Sequence, residues 1–221
     1  DAPSNNDGIF TVNLSLPLPP PTLTASTPPN NAVMAQDASG LGWKFTVLTF
    51  SSDLGSNWNN LDNYSVSSTK PASTRTPALT VSNISGSPAR SIVVLSRNIL
   101  PGERIRITHK PSGSSVCLGF LPGDVDQDGW ALSRDISLLN SWIGTAMGAS
   151  QPLYKTDINR DVVFTAADVT RAGELFSDPN RLFELPVCPA PLGMTTNQSQ
   201  LANALSVLRT ALIELSKLMS R

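Results

Sequence analysis

The sequence predicts a multidomain protein of β plus α structure: a small β-sandwich, a tandem pair of Asp-rich loop–helix motifs, and a C-terminal amphipathic helix. Three observations predict this order. Short alternating segments broken by Gly, Pro, Ser and Asn fill the first half, two Asp-rich loops follow, and a stretch without Gly or Pro ends the chain. The predicted boundaries are 1–32 for an N-terminal strand and proline-rich linker, 33–120 for the β-sandwich, 121–183 for the loop–helix pair, 184–194 for a proline-rich connector and 195–221 for an oligomerisation helix.

Composition narrows the class of protein. Only 15% of the 221 residues are charged and the formal net charge is -1, so no basic patch is available for a phosphate backbone and no nucleic-acid partner is expected. No apolar run is long enough to predict a membrane span. The abundance of Ser, Thr, Asn, Pro and Gly is typical of secreted bacterial β-proteins, and we expect an extracellular or cell-surface location. The chain begins at Asp1, as expected of a processed protein or a fragment.

The two cysteines, Cys117 and Cys188, lie on either side of the loop–helix pair. In an exported protein the default interpretation is one disulfide, and two reduced, buried thiols are the alternative.

The N-terminal strand is predicted over residues 9–16, and a proline-rich run expected to be extended and semi-rigid follows it. A lone strand leaves its backbone groups without partners, so we expect it to pair either with its own sheet or with that of a neighbouring subunit. Its apolar face consists of Phe10, Val12, Leu14 and Leu16.

The sandwich is predicted from six short strands with two-residue alternation. In the segment 104–108, Ile105 and Ile107 are expected to point inward while Arg104 and Arg106 face water. The predicted strands are 43–50, 63–67, 78–82, 91–96, 104–109 and 114–119.

The first Asp-rich loop, residues 124–135, has the side-chain pattern of a calcium site. A hard cation takes about six to eight oxygen ligands, which a twelve-residue loop supplies from positions 1, 3, 5, 7, 9 and 12. Gly129 stands at position 6, where the chain turns sharply, and Leu132 at position 9 leaves that ligand to solvent. The predicted ligands are Asp124, Asp126, Asp128, the carbonyl of Trp130, and Asp135.

A second copy of the pattern begins 33 residues later, at 157–168. Its position 6 is Val162, where a left-handed backbone strains a β-branched residue. Two calcium sites are expected, the first from the more complete pattern; simple Asp-rich turns are the alternative. The second set of predicted ligands is Asp157, Asn159, Asp161, the carbonyl of Val163, Thr165 and Asp168.

Two loop–helix units with Asp at position 12 resemble the type I dockerin repeat over about 121–180. The preceding stretch ITHKPSGSSVCLGFLPGDVDQDG is similar to the junction of a β-domain and a dockerin in exported bacterial proteins of planctomycete type. The resemblance implies EF-hand-type loops that bind calcium. Cohesin recognition in dockerins uses positions 10 and 11, often a Ser-Thr pair in both copies. Here these positions are Ser133-Arg134 and Ala166-Ala167, so the fold carries over better than the cohesin partner.

Catalytic constellations are not evident in the sequence. His109 is the only histidine, so a triad or a histidine-rich zinc site would depend on it alone. Carboxylates outside the loops are sparse and do not pair as a glycosidase requires, and we expect no enzymatic activity. Trp58, in a polar segment, is the best candidate for stacking on a sugar, and Asn-x-Ser sequons make glycans a further expected partner. The sequons are at Asn13, Asn63, Asn83 and Asn197.

The C-terminal segment has apolar residues spaced 4, 3, 4 and 3 apart, a heptad seam. It is expected to pack either on its own β-domain or with other subunits. The seam consists of Leu201, Leu205, Leu208, Leu212 and Leu215.

These features together predict a structural subunit that joins other copies of itself through the N-terminal strand and the C-terminal helix. Contacts of this head-to-tail kind propagate into a filament when they do not close. An adaptor that docks onto a cohesin-bearing scaffold and a carbohydrate-binding module are the two alternatives.

Overall fold

The computed structural model describes residues 20–145, 148 and 151–191 of the chain. In this part of the chain eight strands form two four-stranded sheets, and three helices follow them. The strands are β1 (Leu23–Thr27), β2 (Val33–Met34), β3 (Phe45–Phe50), β4 (Tyr64–Ser68), β5 (Val81–Ser87), β6 (Arg90–Leu95), β7 (Glu103–His109) and β8 (Ser114–Phe120). The helices are α1 (Ser133–Trp142), α2 (Leu153–Thr156) and α3 (Ala166–Ser177), and a 3-10 turn spans Leu61–Asn63.

The two sheets form the predicted β-sandwich. The first sheet has the order β1-β3-β6-β5 and is antiparallel throughout. The second has the order β2-β8-β7-β4, in which β2 runs parallel to β8 and the other pairs are antiparallel. The six strands that the sequence predicts correspond to β3 through β8.

Two-residue alternation explains how the sheets bury their core. On β7, Ile105 and Ile107 are fully buried, as predicted, and on β3 Leu48 and Phe50 face the same interior. Burying a large aliphatic or aromatic side chain contributes roughly 1.5–3 kcal/mol each. The remaining core residues between the sheets include Val66, Leu79, Ile84, Val93, Leu95, Ile99, Val116, Leu118 and Phe120.

Residues 23–27, which are predicted to lie in the linker, instead form the edge strand β1. The strand pairs with β3, and Leu23 packs against the sandwich core. Prolines lie before and after these five residues rather than among them, so the strand keeps its backbone donors. The strand was not predicted because the whole segment is rich in proline.

Arg104 and Arg106 do not face water as expected. The connector crosses the outer face of the second sheet and covers both side chains. Arg106 Nε donates to the carbonyl of Pro189 at 2.6 Å, and Arg104 Nη1 lies 3.5 Å from the carbonyl of Pro186. Burial lowers the pKa of both guanidinium groups. The connector is therefore part of the folded body.

The proposed sugar-stacking role of Trp58 is not supported by its surroundings. Its side chain is partly buried and packs against the sandwich core, and its carbonyl accepts a hydrogen bond from the Tyr64 hydroxyl at 3.2 Å. The Trp58 side chain therefore packs on the sandwich core, as that of Trp43 does.

Helices α1 and α3 each begin where an Asp-rich loop ends, and they pack on one another through Leu139 and Ala172. Backbone hydrogen bonds join this region to the sandwich: the Ala35 N–H donates to the Tyr154 carbonyl at 2.8 Å, and the Asp37 N–H donates to the Ile158 carbonyl at 2.9 Å. The two Asp-rich loops are thus held beside the segment that enters the sandwich. No helix among the described residues is long and apolar enough to cross a membrane.

Candidate metal centre

The first loop brings three carboxylates together, and one of them, that of Asp124, is buried. Asp124 is completely buried, and carboxylate oxygens of Asp124, Asp126 and Asp128 all lie within 4.8 Å of one another. Asp124 Oδ2 accepts the Gly129 N–H at 3.0 Å. Asp124 Oδ1 is also buried but has no hydrogen-bond partner among the described residues. A buried, unpartnered carboxylate oxygen is costly unless a cation satisfies it.

Asp135 ties the two ends of the first loop together from the first turn of α1. It is fully buried. Its Oδ1 accepts the N–H groups of Val125 at 2.8 Å and Asp126 at 3.1 Å, and its Oδ2 accepts the Leu132 N–H at 2.8 Å. A position-12 carboxylate held this way is fixed beside the loop before any ligand binds.

The electrostatics of the first loop favour a cation. Burial, and then the nearby charges of Asp135 and Asp126, raise the pKa of Asp124 to about 7. Burial also raises the pKa of Asp135. Each carboxylate makes ionisation of its neighbours less favourable, and an added positive charge would reverse that effect. Because the predicted donors are all oxygens, they fit a hard cation such as Ca²⁺.

Arg134, at position 11 of the loop, lies over the outer side of this cluster, a contact that was not predicted from the sequence. Its Nε is 2.9 Å from Asp126 Oδ2, and its Nη2 contacts Asp128. These two aspartates keep 28% and 33% of their side-chain surfaces exposed. The guanidinium therefore offsets part of the acidic charge at the open side, while Asp124 keeps its unpartnered oxygen inside.

The second loop repeats the hydrogen bonds of the first at equivalent positions. Asp157 Oδ2 accepts the Val162 N–H at 3.1 Å, as Asp124 accepts Gly129. Asp168 Oδ2 accepts the Thr165 N–H at 2.8 Å, as Asp135 accepts Leu132. The backbone is left-handed at positions 4 and 6 of both loops, with φ values of 69° and 91° in the first and 67° and 71° in the second. The two segments therefore have the same local conformation.

The second loop differs in its ligand side chains. Val162 has a left-handed backbone, with φ 71°, a conformation that is strained for a β-branched residue. Asn159 Nδ2 donates to Asp161 Oδ2 at 2.9 Å, and Thr165 Oγ1 accepts the Ala167 N–H at 3.2 Å. Within the described parts of the chain, the first loop alone gathers three carboxylates closely enough to hold a metal ion.

The position-7 residues of both loops are arranged alike. The Trp130 N–H donates to Asp128 Oδ1 at 2.8 Å, and the Val163 N–H donates to Asp161 Oδ1 at 2.9 Å. The side chains of Trp130 and Val163 are both exposed. The indole of Trp130 remains at the surface.

Two residues that bind the loops to the sandwich were not predicted from the sequence. Gln127 and Arg160 stand at position 4 of the first and second loop, and both reach residues of the 33–41 segment. A long polar side chain at the same left-handed position of each loop was the available signal, but the sequence does not show what such a side chain contacts.

The structure joins Cys117 and Cys188 in a disulfide across 71 residues, the pairing that the sequence predicts. It attaches the connector to the outer face of β8. The predicted assembly residues, from Phe10 to Leu16 and from Leu201 to Leu215, lie outside the described residues.

Comparison with protein-family models and with curated proteins finds no match. Among solved structures, the S-layer protein rSbsC(31-844) matches with a TM-score of 0.32 and 11% identity, over 48% of this chain and 14% of that one. PcoC, a copper resistance protein from Escherichia coli, matches with a TM-score of 0.28 and 15% identity, over 43% of this chain and 95% of that one. This chain thus spans a small part of the S-layer protein's length. At such TM-scores neither similarity carries an argument about fold or function.

Proposed function

We propose that this protein is a non-enzymatic, calcium-binding structural subunit that assembles outside the cell into a calcium-stabilised filament or surface fibre. The observation that carries the proposal is Asp124: a fully buried aspartate at position 1 of a loop, with one oxygen unpartnered and two further carboxylates beside it. Such an arrangement costs free energy when empty of positive charge and is relieved by a cation.

Calcium is the proposed ion because the predicted donors are carboxylates and a backbone carbonyl, in a loop whose Gly129 has φ 91° at the turn. The type I dockerin-like pair is the proposed identity of the 121–183 region. The equivalent hydrogen bonds of the two loops and the packing of α1 on α3 support it. We place a first ion in the first loop and a second in the loop beginning at Asp157.

Assembly is proposed from the two ends of the chain. The N-terminal strand and the C-terminal heptad segment are both apolar on one face and need a surface to cover them. The first sheet ends in the edge strands β1 and β5, and an edge strand offers unpaired backbone groups to an added strand. A neighbour's strand at such an edge, together with helix contacts, would make a head-to-tail chain.

The extracellular location is proposed from the disulfide between Cys117 and Cys188 and from the polar, weakly charged composition. Disulfides persist in oxidising compartments and are rare in the cytosol. Calcium above the affinity of such loops is also expected outside cells.

A second candidate is an adaptor that binds another protein through its loop–helix pair. The repeated loop geometry favours it. Against it, Arg134 at position 11 of the first loop is held by Asp126 and Asp128 and is less free to contact a partner. Position 11 of the second loop is Ala167, so a twofold-related pair of polar contacts is missing.

Calorimetric titration of the full chain with calcium tests the ion site. Wild type is expected to bind, and EGTA is expected to lower the melting temperature because binding to the folded state stabilises it by mass action. Asp124→Ala should abolish the stronger binding event. The matched control is Asp62→Ala, an exposed aspartate far from the loops in sequence, which should bind as wild type does. Identical melting with calcium and with EGTA would show that the loop is only a turn.

Electron microscopy tests assembly. Wild-type protein in calcium is expected to form filaments, and a chain lacking residues 1–16 is expected to stay folded and monomeric. Leu208→Asp, which places a charge on the heptad seam, should weaken assembly, whereas Thr210→Asp on another side of the predicted helix should not. Unfolding of the truncated chain would mean that the strand belongs to its own sandwich. Normal filaments from both variants would mean that these joints are wrong.

A further inference from the structure

We infer that the segment 183–185 is the strand partner of the first calcium loop, so that an ion bound there fastens the connector to the body of the protein. The inference rests on the proposed calcium site in that loop and adds a regulated element to it. Three observations support it: two backbone hydrogen bonds between the loop and this segment, the direction of two peptide groups in the loop, and the path of the connector over the second sheet.

The first loop and the connector form a short antiparallel bridge. Trp130 and Glu184 are the paired residues. The Ala131 N–H donates to the Phe183 carbonyl at 2.9 Å, and the Leu185 N–H donates to the Gly129 carbonyl at 2.9 Å. Leu185 is buried with Ala131 in a small apolar cluster that also contains Val33 and Leu121. The bridge therefore has both backbone and side-chain contacts.

The two peptide groups in this bridge belong to the loop's own ligand turn. The peptide that joins Trp130 to Ala131 sends its N–H to Phe183, so its carbonyl, the predicted position-7 ligand, points the opposite way because a trans peptide is planar. The peptide that joins Gly129 to Trp130 accepts Leu185 on its carbonyl and donates its N–H to Asp128 Oδ1. The first peptide therefore carries one predicted ligand, the Trp130 carbonyl, and hydrogen-bonds to the connector. The second peptide hydrogen-bonds both to a predicted ligand, Asp128, and to the connector.

A cation in the loop would act on both peptides. It would draw the Trp130 carbonyl and the Asp128 carboxylate inward, and this fixes the orientation of the N–H and C=O groups that face the connector. Hydrogen bonds in a chain of this kind strengthen one another. Without the cation, repulsion among the carboxylates loosens the turn, and the connector loses an ordered partner strand.

Beyond the bridge, the connector crosses the second sheet from β8 towards its β4 edge. Cys188 is bonded to Cys117 on β8, the Pro189 carbonyl accepts from Arg106 on β7, and the Ala190 carbonyl accepts from Ser67 on β4 at 2.8 Å. The connector therefore has two fasteners near one another: the ion-dependent bridge at 183–185 and the covalent bond at 188. Together they hold the connector on the outer face of the second sheet.

The second loop has no equivalent role because the segment that Arg160 holds is the entry to the sandwich rather than the connector. Arg160 donates to the carbonyls of Asp37 and Leu41 and to Gln36 Oε1, all in the entry to the sandwich. An ion in the second loop is therefore expected to leave the connector unchanged. This difference supplies an internal control.

Amide hydrogen exchange followed by NMR on the full chain tests the inference with calcium alone as the probe. The reporters are the N–H groups of Ala131 and Leu185, and the N–H of Ile107 in the sandwich reports on global opening. Replacing calcium with EGTA, with the disulfide intact, is expected to speed exchange at Leu185 by at least about tenfold and to leave Ile107 unchanged. Asp124→Asn, or the less buried Asp128→Asn, should reproduce that effect in calcium, whereas Asp157→Asn should not.

The outcomes separate the inference from the function on which it rests. Calcium binding at the first loop by calorimetry, with unchanged exchange at Leu185, would overturn the inference and leave the calcium site standing. No calcium binding at that loop would overturn both. A Leu185 response as large in Asp157→Asn as in Asp128→Asn would also overturn it, because the bridge would then report general loosening.

Discussion

Gln127 and Arg160 stand at the same position of two loops 33 residues apart, and both hold the segment that leads into the sandwich. Gln127 accepts the Val33 N–H on Oε1 at 2.7 Å and donates from Nε2 to the Val33 carbonyl at 2.8 Å. Arg160 Nη2 donates to the Asp37 carbonyl at 2.9 Å. Each residue has a left-handed backbone, which turns its side chain out of the loop towards the β-domain. The loop pair and the sandwich are therefore one mechanical unit at this junction.

Removing the Gln127 side chain should lower the free energy of unfolding more than is usual for a residue on a loop. Gln127→Ala leaves the N–H and carbonyl of buried Val33 without their side-chain partner, and we expect the free energy of unfolding to fall by about 2–3 kcal/mol. Urea denaturation in calcium measures the change. Asn140→Ala, an exposed residue on α1, is the control and should cost well under that amount. A loss no larger than the control's would mean that water replaces the amide at Val33.

Relieving the backbone strain in the second loop should stabilise the protein. Val162 has φ 71° and an exposed side chain, so Val162→Gly removes a left-handed β-branched residue at little packing cost. We expect a gain of about 1 kcal/mol in the free energy of unfolding. The reciprocal change Gly129→Val should lower it by at least about 1 kcal/mol, since that residue has φ 91°. Opposite signs for the two variants are the expected result in thermal or chemical denaturation; equal signs would contradict it.

Loss of the disulfide should lower stability substantially. Cys117 and Cys188 close a loop of 71 residues, and the chain-entropy model gives about 4 kcal/mol for a loop of that length. The double variant Cys117→Ser, Cys188→Ser should therefore unfold at much lower denaturant concentration than the oxidised protein. Adding a reductant should lower the stability of wild type to the same level and leave the variant unchanged. Two free thiols in native material by mass spectrometry would contradict the pairing.

The only histidine should make stability sensitive to mild acid. His109 is buried between Phe50 and Tyr64, and burial lowers its pKa. Below about pH 6.5 the unfolded chain takes up a proton at His109 that the folded protein does not, so the contribution of His109 to stability falls as the pH drops, by up to about 1.4 kcal/mol per pH unit. Between about pH 6.5 and 5, wild type should therefore lose stability relative to His109→Gln as the pH drops. The quantity to compare is the slope of unfolding free energy against pH; equal slopes would refute the prediction.

Two-residue alternation in the sequence was enough to predict the sandwich, and the spacing of the aspartates was enough to locate the loops. Alternating residues such as Ile105 and Ile107 identify a strand face because successive side chains on a strand point in opposite directions. The loop ligands are local in sequence, so the spacing of Asp124, Asp126 and Asp128 already places them together. Strand β1 was not predicted because the segment around it is rich in proline. The composition of the whole N-terminal segment does not reveal a five-residue strand within it.

Contacts between distant segments were decided by the tertiary structure alone. Nothing in the sequence places Gln127 against Val33, or the connector over Arg104 and Arg106, because hydrogen bonds across 80 or more residues depend on how the layers stack. The same holds for Asp124: its residue type is local information, but its burial with one oxygen left unpartnered arises only in the folded chain. The sequence determined which loop residues offer oxygen ligands at the spacing of a calcium site and which strand faces are apolar, since both follow from short-range spacing. The packing determined which carboxylate is buried and which segment each loop holds, since both depend on residues that meet only in the folded chain.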